Sequence, residues 1–124
     1  MEIVLFHIRT RPDVDQTAYQ QAFDRMLELV SQLPGFVGID GYAGEDGSEL
    51  AVARFESPEA VAAWREHPEH VATRRRGREE FFAAYDITIA TVSREYGWSA
   101  ASPSVGDASS SVIVGSGPIG TVPS

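Results

Sequence analysis

His67 and His70 flank Pro68, and four arginines crowd into Arg74-Arg75-Arg76-Gly77-Arg78 a few residues later. A third histidine, His7, stands in the first ten residues, and Trp64 precedes the histidine pair by three positions. Histidine suits general-base work near neutral pH, arginine suits an oxyanion or carboxylate, and an indole suits the flat face of an aromatic ligand. Each residue also has a plainer reading. Trp64 follows Val61 at helical spacing, so it either packs in a core or walls a pocket for a planar substrate. His7 is either a core histidine bonded to a carbonyl or to Tyr42, or a base aimed into a cavity between sheet and helices. On a helix His70 and Arg74 share a face, as do Arg74 and Arg78. The arginine run is either a solvated face balanced by Glu79 and Glu80, or the source of one inward guanidinium for a phenolate, enolate or carboxylate. His-x-x-His needs a third ligand; Glu66 and Glu69 are near, but acids in a first helical turn are ordinary dipole partners, so no metal is expected.

What is missing narrows the chemistry. The 124 residues contain no cysteine, lysine or asparagine, and all ten basic residues are arginines. Thiolate nucleophiles, disulfides, thiolate metal sites and lysine Schiff bases are therefore excluded. Eighteen acids against ten bases give a formal charge of −8, which repels nucleic acid and anionic membranes. Gly115-Ser-Gly-Pro-Ile-Gly120 matches G-x-G-x-x-G, but four residues remain after it, too few for the helix a dinucleotide site needs. The opening Met1–His7 has a short apolar run without a basic flank, so a soluble, cytoplasmic protein is the expectation.

Those residues must be carried by a fold, and the pattern divides at about Trp98. Residues 1–98 hold every arginine and 17 of the 18 acids. Residues 99–124 are rich in Ser, Gly and Pro and are expected to be flexible, or docked on a neighbour through Val112-Ile113-Val114. Alternation predicts a strand over 2–10, with Ile3, Leu5, His7 and Arg9 on one face and Val4, Phe6 and Ile8 on the other. Tyr19, Phe23, Met26, Val30 and Leu33 predict a helix from about Asp15 to Gln32, stopped by Pro34-Gly35. Two strands, 36–43 and 49–56, flank the turn residues Gly44-Glu-Asp-Gly47. Ser57-Pro58-Glu59 starts a helix that breaks at His67-Pro68; a third runs to about Ala84, and a last strand covers 86–96. The order βαββαβ is α+β and ferredoxin-like: a four-stranded antiparallel sheet with its helices on one face. Because the strands are apolar on both sides, a second copy is expected to cover the other face, giving a dimeric α/β barrel.

The run Phe55-Glu-Ser-Pro-Glu-Ala-Val-Ala-Ala-Trp64-Arg-Glu-His67-Pro68-Glu-His70, with Gly77-Arg78, Phe81, Phe82, Tyr85 and Val92-Ser-Arg94-Glu-Tyr96, resembles the antibiotic biosynthesis monooxygenase family. Pro34-Gly35-Phe36 fits the same pattern, and the resemblance covers about residues 1–98. It implies a dimeric barrel; the family is functionally mixed, and the expected activity is that of its cofactor-independent monooxygenases of planar aromatic or polyketide-type molecules. His7, Trp64, His70 and Arg74 would act in catalysis, and Tyr42, His67, Arg78, Phe82, Tyr85 and Arg94 in holding the substrate or closing the pocket. The haem-degrading branch pairs a first-strand asparagine and a helical tryptophan with a histidine about ten residues later. Here Trp64 matches, but His7 lies near the asparagine position and Arg74 near that of the histidine, so haem is not the expected cofactor. The rival readings are a haem or hydrophobic-molecule binder on the same fold, and a barrel module without activity.

Overall fold

A computed structural model describes residues 1–100; the expectations for the tail beyond them, Val112-Ile113-Val114 included, lie outside the described residues. Strand β1 spans Glu2–Thr10, helix α1 Gln16–Ser31, β2 Phe36–Ala43, β3 Glu49–Phe55, α2 Pro58–Glu66, α3 Pro68–Arg76 and β4 Phe82–Thr91, with one π turn at Gly77–Phe81 between α3 and β4. The sheet is antiparallel in the order β2-β3-β1-β4, the ferredoxin-like arrangement.

Local chemistry explains most boundaries. Asp15 accepts from the Ala18 N–H at 3.0 Å and Ser57 from the Ala60 N–H at 3.1 Å, each satisfying an orphan donor of a helix start. Gly35 follows α1 with φ of 91°, and a β-carbon there would press on that of Ala60. Only glycine permits both the left-handed turn and this approach of α1's end to α2. Between β2 and β3, the Asp46 carboxylate accepts from the Ser48 N–H and hydroxyl, and Arg9 reaches the same carboxylate at 2.9 Å.

The third helix is shorter than its pattern predicts, and the last strand begins at Phe82 rather than 86 and ends at Thr91. Apolar Phe81-Phe82 fits either a helix end or a strand start, and a short apolar run does not discriminate. The π turn decides it: the Phe82 N–H bonds to the Gly77 carbonyl, and the Phe82 ring lies where a side chain at Gly77 would be.

Val30, Phe55, Ala60 and Val61 form the buried core, with Val4, Leu27, Leu33, Phe36, Ala53 and Trp64 packed around it. All three helices meet the same sheet face as Val4, Phe6, Ile8, Ala51 and Ala53. The opposite face carries Ile3, Leu5, His7, Leu50, Val52 and Tyr42 in neighbouring register, and no helix among the described residues covers it. No helix among them is long and apolar enough to cross a membrane.

Candidate active site

Strand parity sends Val4, Phe6 and Ile8 inward together with Ala51, Ala53 and Phe55 of β3 and Tyr85, Ile87 and Ile89 of β4. Helices α1, α2 and α3 do not close fully over this surface, and a cavity of about 360 Å³ remains. That is ample for a small ligand. Ile87 and Ile89 line it yet are each 47% exposed, so the cavity opens along the β4 edge.

Part of the wall is aromatic. Phe6, Phe82 and Tyr85 meet edge to face at centroid distances of 5.4–5.7 Å, and Tyr19 joins through Phe81 and Phe82. Tyr19 is buried and its hydroxyl donates to Glu49 Oε1 at 3.0 Å. Burial, then the Glu49 charge and hydrogen bond, push the Tyr19 phenol far above its usual range; burial in turn raises the Glu49 carboxyl against the lowering effect of that bond.

The Trp64–His70 corner carries the polar chemistry. Trp64, near the end of α2, and His70, in the first turn of α3, stack with centroids 4.0 Å apart and planes within 13°. His70 Nδ1 lies 3.0 Å from the Trp64 carbonyl oxygen. A carbonyl only accepts, so Nδ1 carries the proton and Nε2 keeps a free lone pair. Burial above all, and the charges of Arg74 and His67, lower the His70 pKa to about 4 although the Trp64 carbonyl works the other way. The ring is therefore neutral at pH 7. Arg65, Thr73 and Arg74 also line the cavity, and Arg74 Nη1 is fixed to the Arg65 carbonyl at 2.9 Å. The His67-Pro68 break creates this corner by turning the chain between Trp64 and His70.

The structure thus brings together Trp64, His70, Arg74, Phe82 and Tyr85. It does not bring in four others. His7 is exposed on the helix-free face, because its odd position in β1 points away from Phe6 and Ile8. Tyr42 shares that outer face, opposite Leu50. His67 caps α3, its Nδ1 accepting from the Glu69 N–H at 3.1 Å, and is absent from the cavity wall. Arg94 lies exposed beyond β4. Arg78 sits in an adjoining recess with Arg11, Phe82 and Tyr85. Trp64 is core and cavity wall at once. Tyr19, Arg65 and Thr73 escaped the sequence reading of the site. Tyr19 belonged to a stripe that periodicity reads only as core, although a tyrosine in such a stripe needs a partner for its hydroxyl.

Among the described residues no group of three His, Asp or Glu side chains is placed to hold a metal. Arg74, which stands near the position of the haem-degrading branch's histidine, offers no lone pair to iron.

The same architecture recurs in solved structures. Rv0793 from Mycobacterium tuberculosis superposes with a TM-score of 0.68 at 22% identity, covering 77% of this chain and 98% of that one. SnoaB, a cofactor-independent oxygenase from Streptomyces nogalater, gives 0.63 at 14% identity over 76% and 94% of the two chains. In sequence, the uncharacterized protein YqjZ of Bacillus subtilis is 32% identical over 81 residues, which is 65% of this chain and 71% of YqjZ. The profile of the antibiotic biosynthesis monooxygenase family matches residues 1–76, the stretch that runs from β1 through the Trp64–His70 corner to the end of α3. Because that profile spans more than half of the sequence, the chain belongs to the antibiotic biosynthesis monooxygenase family.

Proposed function

We propose that this protein is a cofactor-independent monooxygenase acting on a planar, electron-rich aromatic molecule of the anthrone or phenol class. One observation carries the reading: an open apolar cavity is lined by a neutral histidine stacked on a tryptophan, with an arginine beside it. A base removes a proton from an activated CH2 of the substrate, and His70 Nε2 is the acceptor the cavity offers. Arg74 stabilises the resulting enolate oxygen, which offsets the weak basicity of a buried imidazole. The carbanion adds to dioxygen, and the proton returns to give a hydroperoxide. Loss of water leaves a carbonyl. One oxygen atom ends in the product and the other in water, and the two broken C–H bonds supply the electrons. The apolar walls hold the ring and exclude bulk water. SnoaB, the structural neighbour that works without a cofactor, supports this chemistry.

A second copy of the chain is proposed to cover the outer face, where Ile3, Leu5, Leu50 and Val52 would otherwise meet water. The enzyme is tested by oxygen uptake on a panel of anthrones and quinols. Substrate-dependent uptake is expected, lowered about 100-fold in kcat/KM by His70→Ala and about tenfold by Trp64→Phe. Ligand binding without uptake across the panel would instead make the protein a carrier of hydrophobic molecules.

A further inference from the structure

Four of the ten arginines in this acidic protein pair with a carboxylate: Arg9 with Asp46, Arg25 with Glu28 and Glu69, Arg54 with Asp40 and Glu95, Arg76 with Glu80. Arg11 and Arg78 have no such partner among the described residues, and they line one recess together with Phe82, Ala83, Ala84 and Tyr85. No carboxylate faces that recess. Its rings Phe82 and Tyr85 also line the large cavity, so the two spaces adjoin at that wall.

The cations are held in place by acceptors that carry no charge. Arg11 donates through Nε to the Phe82 carbonyl at 3.2 Å and through Nη2 to the Arg78 carbonyl at 2.6 Å. Arg78 Nη1 donates to the Tyr85 hydroxyl at 3.1 Å, which leaves the Tyr85 O–H itself to donate elsewhere. The π turn sets this up by placing Arg78 between α3 and β4, where Arg11 fastens its backbone. Each guanidinium keeps unused N–H donors, and a fork already held in position loses little freedom on binding an anion.

We propose that Arg11, Arg78 and the Tyr85 hydroxyl form an anionic subsite that takes a carboxylate borne by the same flat apolar ligand whose body fills the main cavity. The inference rests on the cavity being the ligand site, and it narrows the substrate class to aromatic acids. The ring system lies among the apolar walls while the acid group passes the Phe82–Tyr85 border into the recess. Arg65 and Arg74, which line the main cavity and not the recess, remain available for the enolate oxygen.

The test is calorimetric titration of the full chain with an anthraquinone monocarboxylate and with its neutral carboxamide. The acid is expected to bind about tenfold more tightly than the amide, the discrimination typical of a charge-assisted pair. Arg78→Gln should bring the acid down to the affinity of the amide and leave the amide unchanged, while Arg78→Lys recovers part of the preference. Arg11→Gln should act the same way, with circular dichroism checking that loss of its carbonyl contacts has not unfolded the chain. Equal binding of acid and amide by the wild type overturns the subsite and leaves the cavity reading standing. So does an acid affinity that survives Arg78→Gln in full. Binding of neither probe overturns both.

Discussion

The two faces of the sheet are built from the same strands, one residue out of step, yet they have different fates. Inward, Val4, Phe6, Ile8, Ala51, Ala53 and Phe55 meet three helices and leave a cavity lined also by a histidine, a tryptophan and arginines. Outward, Ile3, Leu5, Leu50 and Val52 stand among His7, Arg9, Arg54 and Asp40, with no helix over them. The outer face mixes apolar and charged residues, whereas the inner wall of the sheet is almost wholly apolar. Hydrophobicity is present on both sides; what sets the inner face apart is the set of polar groups that the helices deliver.

The sharpest way to break this comparison is to cut into each face and measure stability. Phe55, 1% exposed in the middle of the core, should lose about 3–5 kcal/mol on Phe55→Ala in urea denaturation. Val52→Ala, on the outer face of the same strand, should cost about 1 kcal/mol or less at concentrations where the chain is monomeric. Equal losses would mean that the outer face is covered by this chain itself.

A charge on the outer face comes next in size. Leu5→Glu should weaken self-association by about 2–4 kcal/mol and leave the inner cavity intact. Sedimentation velocity should then show a monomer where the unaltered chain is dimeric. A parent chain that is already monomeric at high concentration would remove the proposed second copy.

The smallest effect concerns protons. The folded-state pKa of His70, about 4, lies below the ordinary value of 6.5, so the unfolded chain takes up this proton first as pH falls. Stability linked to His70 is complete above pH 6.5, declines as pH drops towards 4, and changes no further below that. Discounted for partial exposure, the loss is of order 1–2 kcal/mol. His70→Phe keeps a ring over Trp64 and should remove this part of the pH dependence in thermal melts. An unchanged slope would mean that the ring is solvated and already ordinary.

Much of this is legible in the sequence. Alternation in 2–10 and the stripe from Tyr19 to Leu33 reflect burial on one side of a regular element, and Asp15 and Ser57 act on donors within three residues of themselves. Trp64, His70 and Arg74 were singled out by type and spacing, and the structure gathers them. For His7 and Tyr42 the sequence offers only suitable chemistry. Alternation put His7 on one face and Phe6 on the other, but only the placement of α1, α2 and α3 told which face was inside.

Local order therefore came from the chain's own periodicity: repeats of two and of about 3.6 residues, caps, and Pro or Gly stops act between near neighbours, and any reader of the sequence can trace them. Three things needed the whole fold. They are which sheet face the helices occupy, where α3 yields to the π turn, and how Arg11 comes to fasten the Arg78 carbonyl from 67 residues away. Each is a contact between segments remote in the chain, and its energy depends on a geometry that no short stretch of sequence contains.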